Sequence, residues 1–134
     1  MIHEELWVCD AFNEGAKMKG DELKERTKQF ALRVLKLVDA LPNTVAGRVI
    51  ANQIMRSGSS VGANYRAACR ARSNAEFIAK IGTVLEESDE TEFWLELIRD
   101  GKLLPTDKVE PLKKEAEEIT AIMAASRKTA QTHK

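Results

Sequence analysis

Residues 57–77, SGSSVGANYRAACRARSNAEF, decide how the chain is built, because the small residues can be read as a break or as a joint. Ser57, Gly58, Ser59, Gly62 and Ala63 lie close together, and Gly costs roughly 1 kcal/mol against Ala in a helix interior, so a turn there would split one helix into two. The apolar phase argues for continuity. Ile50 and Ile54 ahead of the small residues, and Val61, Tyr65 and Ala68 beyond them, fall on one face of a single helix running from about Thr44 to Arg72. On that reading the small residues let a neighbouring helix approach closely or permit a bend.

Three further helices frame this one. In DELKERTKQFALRVLKLVDAL, Leu23, Thr27, Phe30, Val34, Leu37 and Leu41 recur at spacings of four and three, with Asp21 as N-cap and Pro42-Asn43 as the stop. Ser73 opens the third helix, with Glu76 completing a capping box. Its seam is Phe77, Ile81, Val84, Ser88, Thr91, Leu95 and Ile98, a heptad-like pattern with a polar middle. Ile78, Leu85 and Phe93 form a second apolar strip, which predicts an oligomer interface. Gly101 reads as a C-cap and Pro105 as a breaker. The fourth helix carries Val109, Leu112, Ala116, Ile119, Met123 and Ser126, with Asp107 and Glu110 as its cap, Pro111 obscuring its start, and a frayed tail over 129–134. The expected fold is all-α, an antiparallel up-down-up-down four-helix bundle over 21–128. Residues 1–20 are expected to form a mobile or loosely docked extension, in which Trp7 and Phe12 can dock as a short helix.

Composition narrows the function. With 43% hydrophobic, 31% charged and 5% aromatic residues, the chain suits one helical domain. Formal net charge is zero, so any contact with nucleic acid must be local rather than a basic coat. No apolar run reaches membrane-spanning length and no signal peptide stands out. Cys9 and Cys69 are too few for a disulfide scaffold and fit two free thiols in a reducing cytoplasm, Cys69 being a buried one.

Charge is very uneven along the chain. Between Thr44 and Arg72 stand five arginines (48, 56, 66, 70, 72) and no acid; between Ser73 and Asp100 stand eight acids against Lys80 and Arg99. In an antiparallel hairpin with its tip near residue 72, Arg56 comes level with Glu86 and Glu90, and Arg48 with Glu96. Such exposed pairs are worth ~0.2–1 kcal/mol each and fix register. Near the tip, Arg66, Arg70, Arg72 and Lys80 have only Glu76 for company, and the opening of the third helix at Ser73 and Asn74 attracts anions. These six residues form the candidate phosphate or nucleic-acid site.

Catalytic alternatives are thin. Glu87 and Glu90, with Glu115 and Glu118 at the same spacing, are analogous to the magnesium-binding carboxylate pairs of all-α nucleotide pyrophosphatases, but Arg56 would neutralise that site. A di-iron bundle needs Glu-x-x-His on two helices, and the only histidines are His3 and His133, in the tails. Their position also removes a Ser-His or Cys-His nucleophile pair, and no phosphate-binding Gly-rich loop or dinucleotide fingerprint occurs. Tyr65 and Trp94 could stack a base but read as core filling. No catalytic residue, metal or cofactor is expected.

The run ANQIMRSGSSVGANYRAACRARSNAEFIAKIGTVLEESDETEFWLEL resembles the four-helix-bundle family of 23S rRNA intervening-sequence proteins, with similarity from about Asp21 through Leu104. Its most specific pieces are RSGSSVGANYRAA, SNAEFIAKI and ESDETEFWLEL. The resemblance implies an up-down bundle assembled as a ring-like homopentamer. Some members are encoded in insertions within bacterial large-subunit ribosomal RNA genes. The fold is also similar to accessory proteins of diversity-generating retroelements, basic pentamers that engage a reverse transcriptase and nucleic acid; this chain departs from them in being neutral. The resemblance supplies no catalytic residues. The expected function is a non-enzymatic, cytoplasmic homo-oligomer that contacts RNA or DNA through its arginine cluster, the alternatives being a purely structural protein assembly and a magnesium-dependent nucleotide hydrolase.

Overall fold

The computed structural model describes residues 20–132. The expected extension at the N-terminus therefore lies almost wholly outside the described residues. The described chain forms four helices: α1 (Gly20–Asp39), α2 (Val45–Cys69), α3 (Asn74–Asp100) and α4 (Thr106–Thr132). Each packs on the next in sequence, and α1 closes more loosely on α4, giving the all-α up-down-up-down bundle.

Helix α2 runs unbroken through the small residues, and their side chains show why. Ser59 and Ser60 turn their hydroxyls back onto their own helix, donating to the Met55 carbonyl at 2.8 Å and the Arg56 carbonyl at 2.7 Å, so their polar groups need no turn. Gly58 and Gly62 face α1. A Cβ on Gly58 would sit 2.9 Å from Val34 Cγ2, and one on Gly62 would sit 3.2 Å from Thr27 Oγ1. Ser57 faces the other way, toward α3, with its Oγ 2.9 Å from the buried Thr91 hydroxyl. One turn of α2 therefore seats both neighbours.

The core follows the periodicity. On α3 the buried set is Phe77, Ile81, Val84, Ser88, Thr91, Leu95 and Ile98, and Trp94 is half-buried against it. On α2, Ile54, Val61, Tyr65 and Ala68 are buried. Buried hydroxyls are served locally: Thr27 donates to the Leu23 carbonyl at 2.8 Å, and Ser88 lies 2.6 Å from Thr120 Oγ1.

Several ends differ from expectation. Helix α4 starts at Thr106 and contains Pro111, which costs only the Asp107 carbonyl its helical donor so close to the N-terminus. It continues to Thr132, where a frayed tail was expected; Ala130 is buried, and its carbonyl accepts from Asn74 Nδ2 at 2.8 Å, pinning this end to the start of α3. Gly101 caps α3 with an ordinary φ of −79°, and the left-handed position falls on Lys102 at φ 58°. Leu103 N–H to Ile98 O (2.9 Å) and Lys102 N–H to Arg99 O (3.1 Å) complete a Schellman motif.

Two substitutions test this packing by urea denaturation. Gly58→Val drives methyls into Val34 and is expected to destabilise by about 1–3 kcal/mol. Lys102→Gly relieves the left-handed residue and is expected to stabilise by about 1 kcal/mol.

Candidate nucleic-acid interface

The α2/α3 hairpin positions most of the candidate residues. Its shaft is neutralised: Arg56 bonds Glu87 at 3.2 Å and also bonds Glu90. The expected partner Glu86 is exposed instead, because Glu87 and Glu90, three apart, share the face turned to α2 and Glu86 lies a residue off it. Arg48 does not reach Glu96; its guanidinium donates to Asn43 Oδ1 at 3.0 Å, across the start of its own helix. Glu90 also accepts from Trp94 Nε1 at 3.0 Å. That bond first, and Arg56 second, hold the Glu90 carboxyl below the usual carboxylate range.

At the tip, Ala71 is buried and plugs the end of the core, while Arg70 and Arg72 on either side of it are exposed. Arg70 caps α2, its N–H donating to the Ala67 carbonyl at 3.1 Å. Arg70, Arg72 and Lys80 line one depression of about 360 Å³ with Ala67 and Glu76. Arg66 is not in it. Arg66 lies over a separate groove of about 240 Å³ between α1 and α2, with Lys24 and Lys28 across from it and Ser59, Gly62 and Ala63 in its lining. The two depressions lie at the same end of the bundle, so the cationic surface is a band across α1, α2 and α3. Lys24 and Lys28 were missed in the sequence. The signal was present: Gly62 against Thr27 sets the α1/α2 register, and mirror distances across that hairpin put Arg66 level with Leu23, beside Lys24 and a little over one turn from Lys28.

Two further shaft arginines are consumed by carboxylates. Arg26 bonds Glu115 through two nitrogens at 2.7 Å and Glu118 at 3.0 Å, and Arg99 bonds Asp100 and Glu110 at 2.8 Å each. The Glu115 hydrogen bond chiefly holds Arg26 charged above the ordinary arginine range. By contrast, Arg66, Arg70, Arg72 and Lys80 form no ion pair within 4.0 Å among the described residues.

Ser73 and Asn74 have architectural duties. The Ser73 hydroxyl accepts from Glu76 N–H at 3.1 Å, and the Glu76 carboxylate accepts from Arg72 N–H at 3.2 Å, so the expected capping box forms with its return bond shifted by one residue. The Asn74 amide donates to the Ala130 carbonyl.

The expected oligomer strip is divided. Ile78 and Leu85 pack partly against the bundle's own core, and Phe93 is 50% exposed. Phe93 stacks edge-on against Trp94 with ring centroids 5.2 Å apart. Leu97 follows it one turn along α3, and Val45 and Val49, 72% and 53% exposed, stand at the same end of the bundle on α2.

Neither catalytic reading gains a site. Glu87 and Glu90 close the α2/α3 seam with Arg56, while Glu115 and Glu118 close the α1/α4 seam with Arg26, so the two pairs do not converge. Among the described residues no three His, Cys, Asp or Glu side chains are grouped to hold a metal. Cys69, expected as a free thiol, is buried and disulfide-bonded. The only other cysteine in the sequence is Cys9, outside the described residues; two cysteines are too few for a scaffold but enough for one bond. No described helix is long and apolar enough to cross a membrane.

Comparison with known proteins supplies the context. Residues 21–125 match the model of the family described as 23S rRNA-intervening sequence protein. The crystal structure of a protein of unknown function from the S23 ribosomal protein family of Bacteroides thetaiotaomicron superposes with a TM-score of 0.77 at 36% identity, covering 83% of this chain and 99% of that one. No curated protein matches the chain.

Because the folded state lowers the Glu90 pKa, its contribution to stability is present above the ordinary glutamate pKa and is lost as pH falls through the folded value. The stability gap between the native chain and Glu90→Gln, measured by urea denaturation across pH, is expected at neutral pH and should close in acid.

Proposed function

The chain belongs to the 23S rRNA-intervening sequence protein family, and on that premise we propose that it is a non-enzymatic binding protein that associates with itself and holds RNA in a cationic band at one end of the bundle. The observation that carries this reading is the contrast in pairing. Arg26, Arg56 and Arg99 are each met by two carboxylates, whereas Arg66, Arg70, Arg72 and Lys80 meet none within ion-pair distance among the described residues. Lys24 and Lys28 extend the same band over α1. A chain of zero net charge that gathers six cations across one end, of which Lys24 alone is in an ion pair among the described residues, with Asp21, is suited to a local grip on a phosphate backbone rather than to coating it. Ser73 and Asn74 contribute by fixing the start of α3, whose N-terminal end adds a favourable potential for phosphate.

Self-association is assigned to the opposite end. Phe93 and Leu97 on α3 and Val45 and Val49 on α2 are apolar and open there. The subunit number expected from the family resemblance is five, which light scattering checks directly.

A second reading is favoured by the exposed Glu86 and Glu96 on α3: in a purely structural assembly these acids would meet the tip arginines of a neighbouring subunit. One experiment separates the two. In filter binding with a structured RNA at low salt, Arg66→Ala combined with Arg70→Ala is expected to weaken affinity at least tenfold. The slope of log affinity against log salt should flatten by about 0.7–0.9 for each phosphate that is no longer neutralised. Unchanged affinity, with a change in oligomer mass instead, would assign the arginines to subunit contacts.

A further inference from the structure

Large apolar side chains are exposed on two helices that do not meet. On α1, Leu32 and Leu35 are 47% and 49% exposed; on α3, Phe93 and Leu97 are 50% and 39% exposed. Helices α1 and α3 each pack on α2 and α4 but not on each other, so they stand at diagonal corners of the bundle and their outer faces point apart. A partner that covers one of these faces leaves the other open.

The two faces nevertheless lie at one height. A Cβ on Gly58 would meet Val34, and Ser57 Oγ lies 2.9 Å from Thr91 Oγ1, so Val34 and Thr91 are level with each other across α2. Leu32 and Leu35 are within two residues of Val34, and Phe93 is two residues from Thr91. At 1.5 Å per residue, all three fall within about 6 Å along the bundle axis, and Leu97 follows one turn on.

Their charges differ in sign. Leu32 has exposed Lys28 and Lys36 one turn to either side, with Asp39 one turn beyond Leu35 as the acid of this face. Phe93 has exposed Asp89 one turn before it and Glu96 about one turn after it. None of these five charged groups is in an ion pair among the described residues, whereas Glu90 and Asp100, also on α3, are already bonded to Arg56 and Arg99. Laid on its own copy, either face would bring lysines to lysines or acids to acids, which is costly. Laid on each other, the apolar pairs cover one another and lysine meets carboxylate. Lys36, two residues past Val34, falls between Asp89 and Glu96 in height, about one turn from each.

We propose that the α1 face of one copy, built on Leu32, Leu35 and Lys36, docks head to tail on the α3 face of a second copy, built on Asp89, Phe93 and Leu97. This rests on the self-association proposed above and names the two unlike faces that meet. Phe93, an exposed aromatic ring at the centre of its patch, is the anchor of the contact.

Light scattering on the full chain tests it with two double variants, Leu32→Ser with Leu35→Ser and Phe93→Ser with Leu97→Ser. All four side chains are exposed, so helix content by circular dichroism is expected to be unchanged. Each variant alone is expected to be a monomer. Mixed in equal amounts, they should give a mass of two chains and no more, because the intact α3 face of one variant meets the intact α1 face of the other. Native mass in either variant alone, or a mixture that stays monomeric, would overturn the head-to-tail contact while leaving self-association standing. A native chain that is itself a monomer would remove both.

Discussion

The contact of Gly58 with Val34, backed one residue earlier by Ser57 against Thr91, is the constraint from which the rest of the bundle follows. A helix with ordinary side chains at these positions would hold α1 and α3 apart. With hydrogen and a hydroxymethyl group in their place, α2 serves as the shared spine for both neighbours, and its full length of 25 residues can stay helical. That length has an electrostatic consequence. A continuous α2 carries its arginines past the point where α3 has acids to offer, so Arg56 is paired across the shaft while Arg66, Arg70 and Arg72 beyond it are not.

The same register explains why the surplus is a band rather than a point. Close approach through Gly62 brings the N-terminal half of α1 level with the C-terminal turns of α2, and Lys24 and Lys28 arrive opposite Arg66. The small residues first noticed as packing devices thus also form the floor of a cationic groove. At the other end of the molecule apolar side chains of α2 and α3 are exposed. A bundle with a cationic band at one end and exposed apolar side chains of α2 and α3 at the other has separate surfaces for a polyanion and for its own copies.

Much of this was legible in the sequence, and the reasons differ by element. The seven-residue seam of α3 could be read off whole, because a strict four-three repeat has only one face to bury. The continuity of α2 was legible because its apolar phase survives the glycines. Less legible were features decided by a neighbour's rotation. Whether Glu86 or Glu87 meets Arg56 depends on one helical step of about 100°, which charge counting does not resolve. Lys24 and Lys28 stayed hidden because the α1/α2 register is set by sterics at Gly58 and Gly62 and not by charge. Gly101 is the C-cap as expected, but the left-handed residue of the Schellman motif, Lys102, carries no sequence signal of its own. Ile78 and Leu85 looked free for an interface because a helical wheel does not show how far α2 and α4 wrap around α3.

A grip on phosphate confined to one end of the molecule is tested most sharply by lysine acetylation footprinting with and without RNA, since the lysines are spread over the bundle. Acetylation of Lys24, Lys28 and Lys80 is expected to slow on adding RNA, with Lys108, Lys113 and Lys114 on α4 unaffected. Equal slowing at all six, or slowing confined to α4, would refute a localised grip.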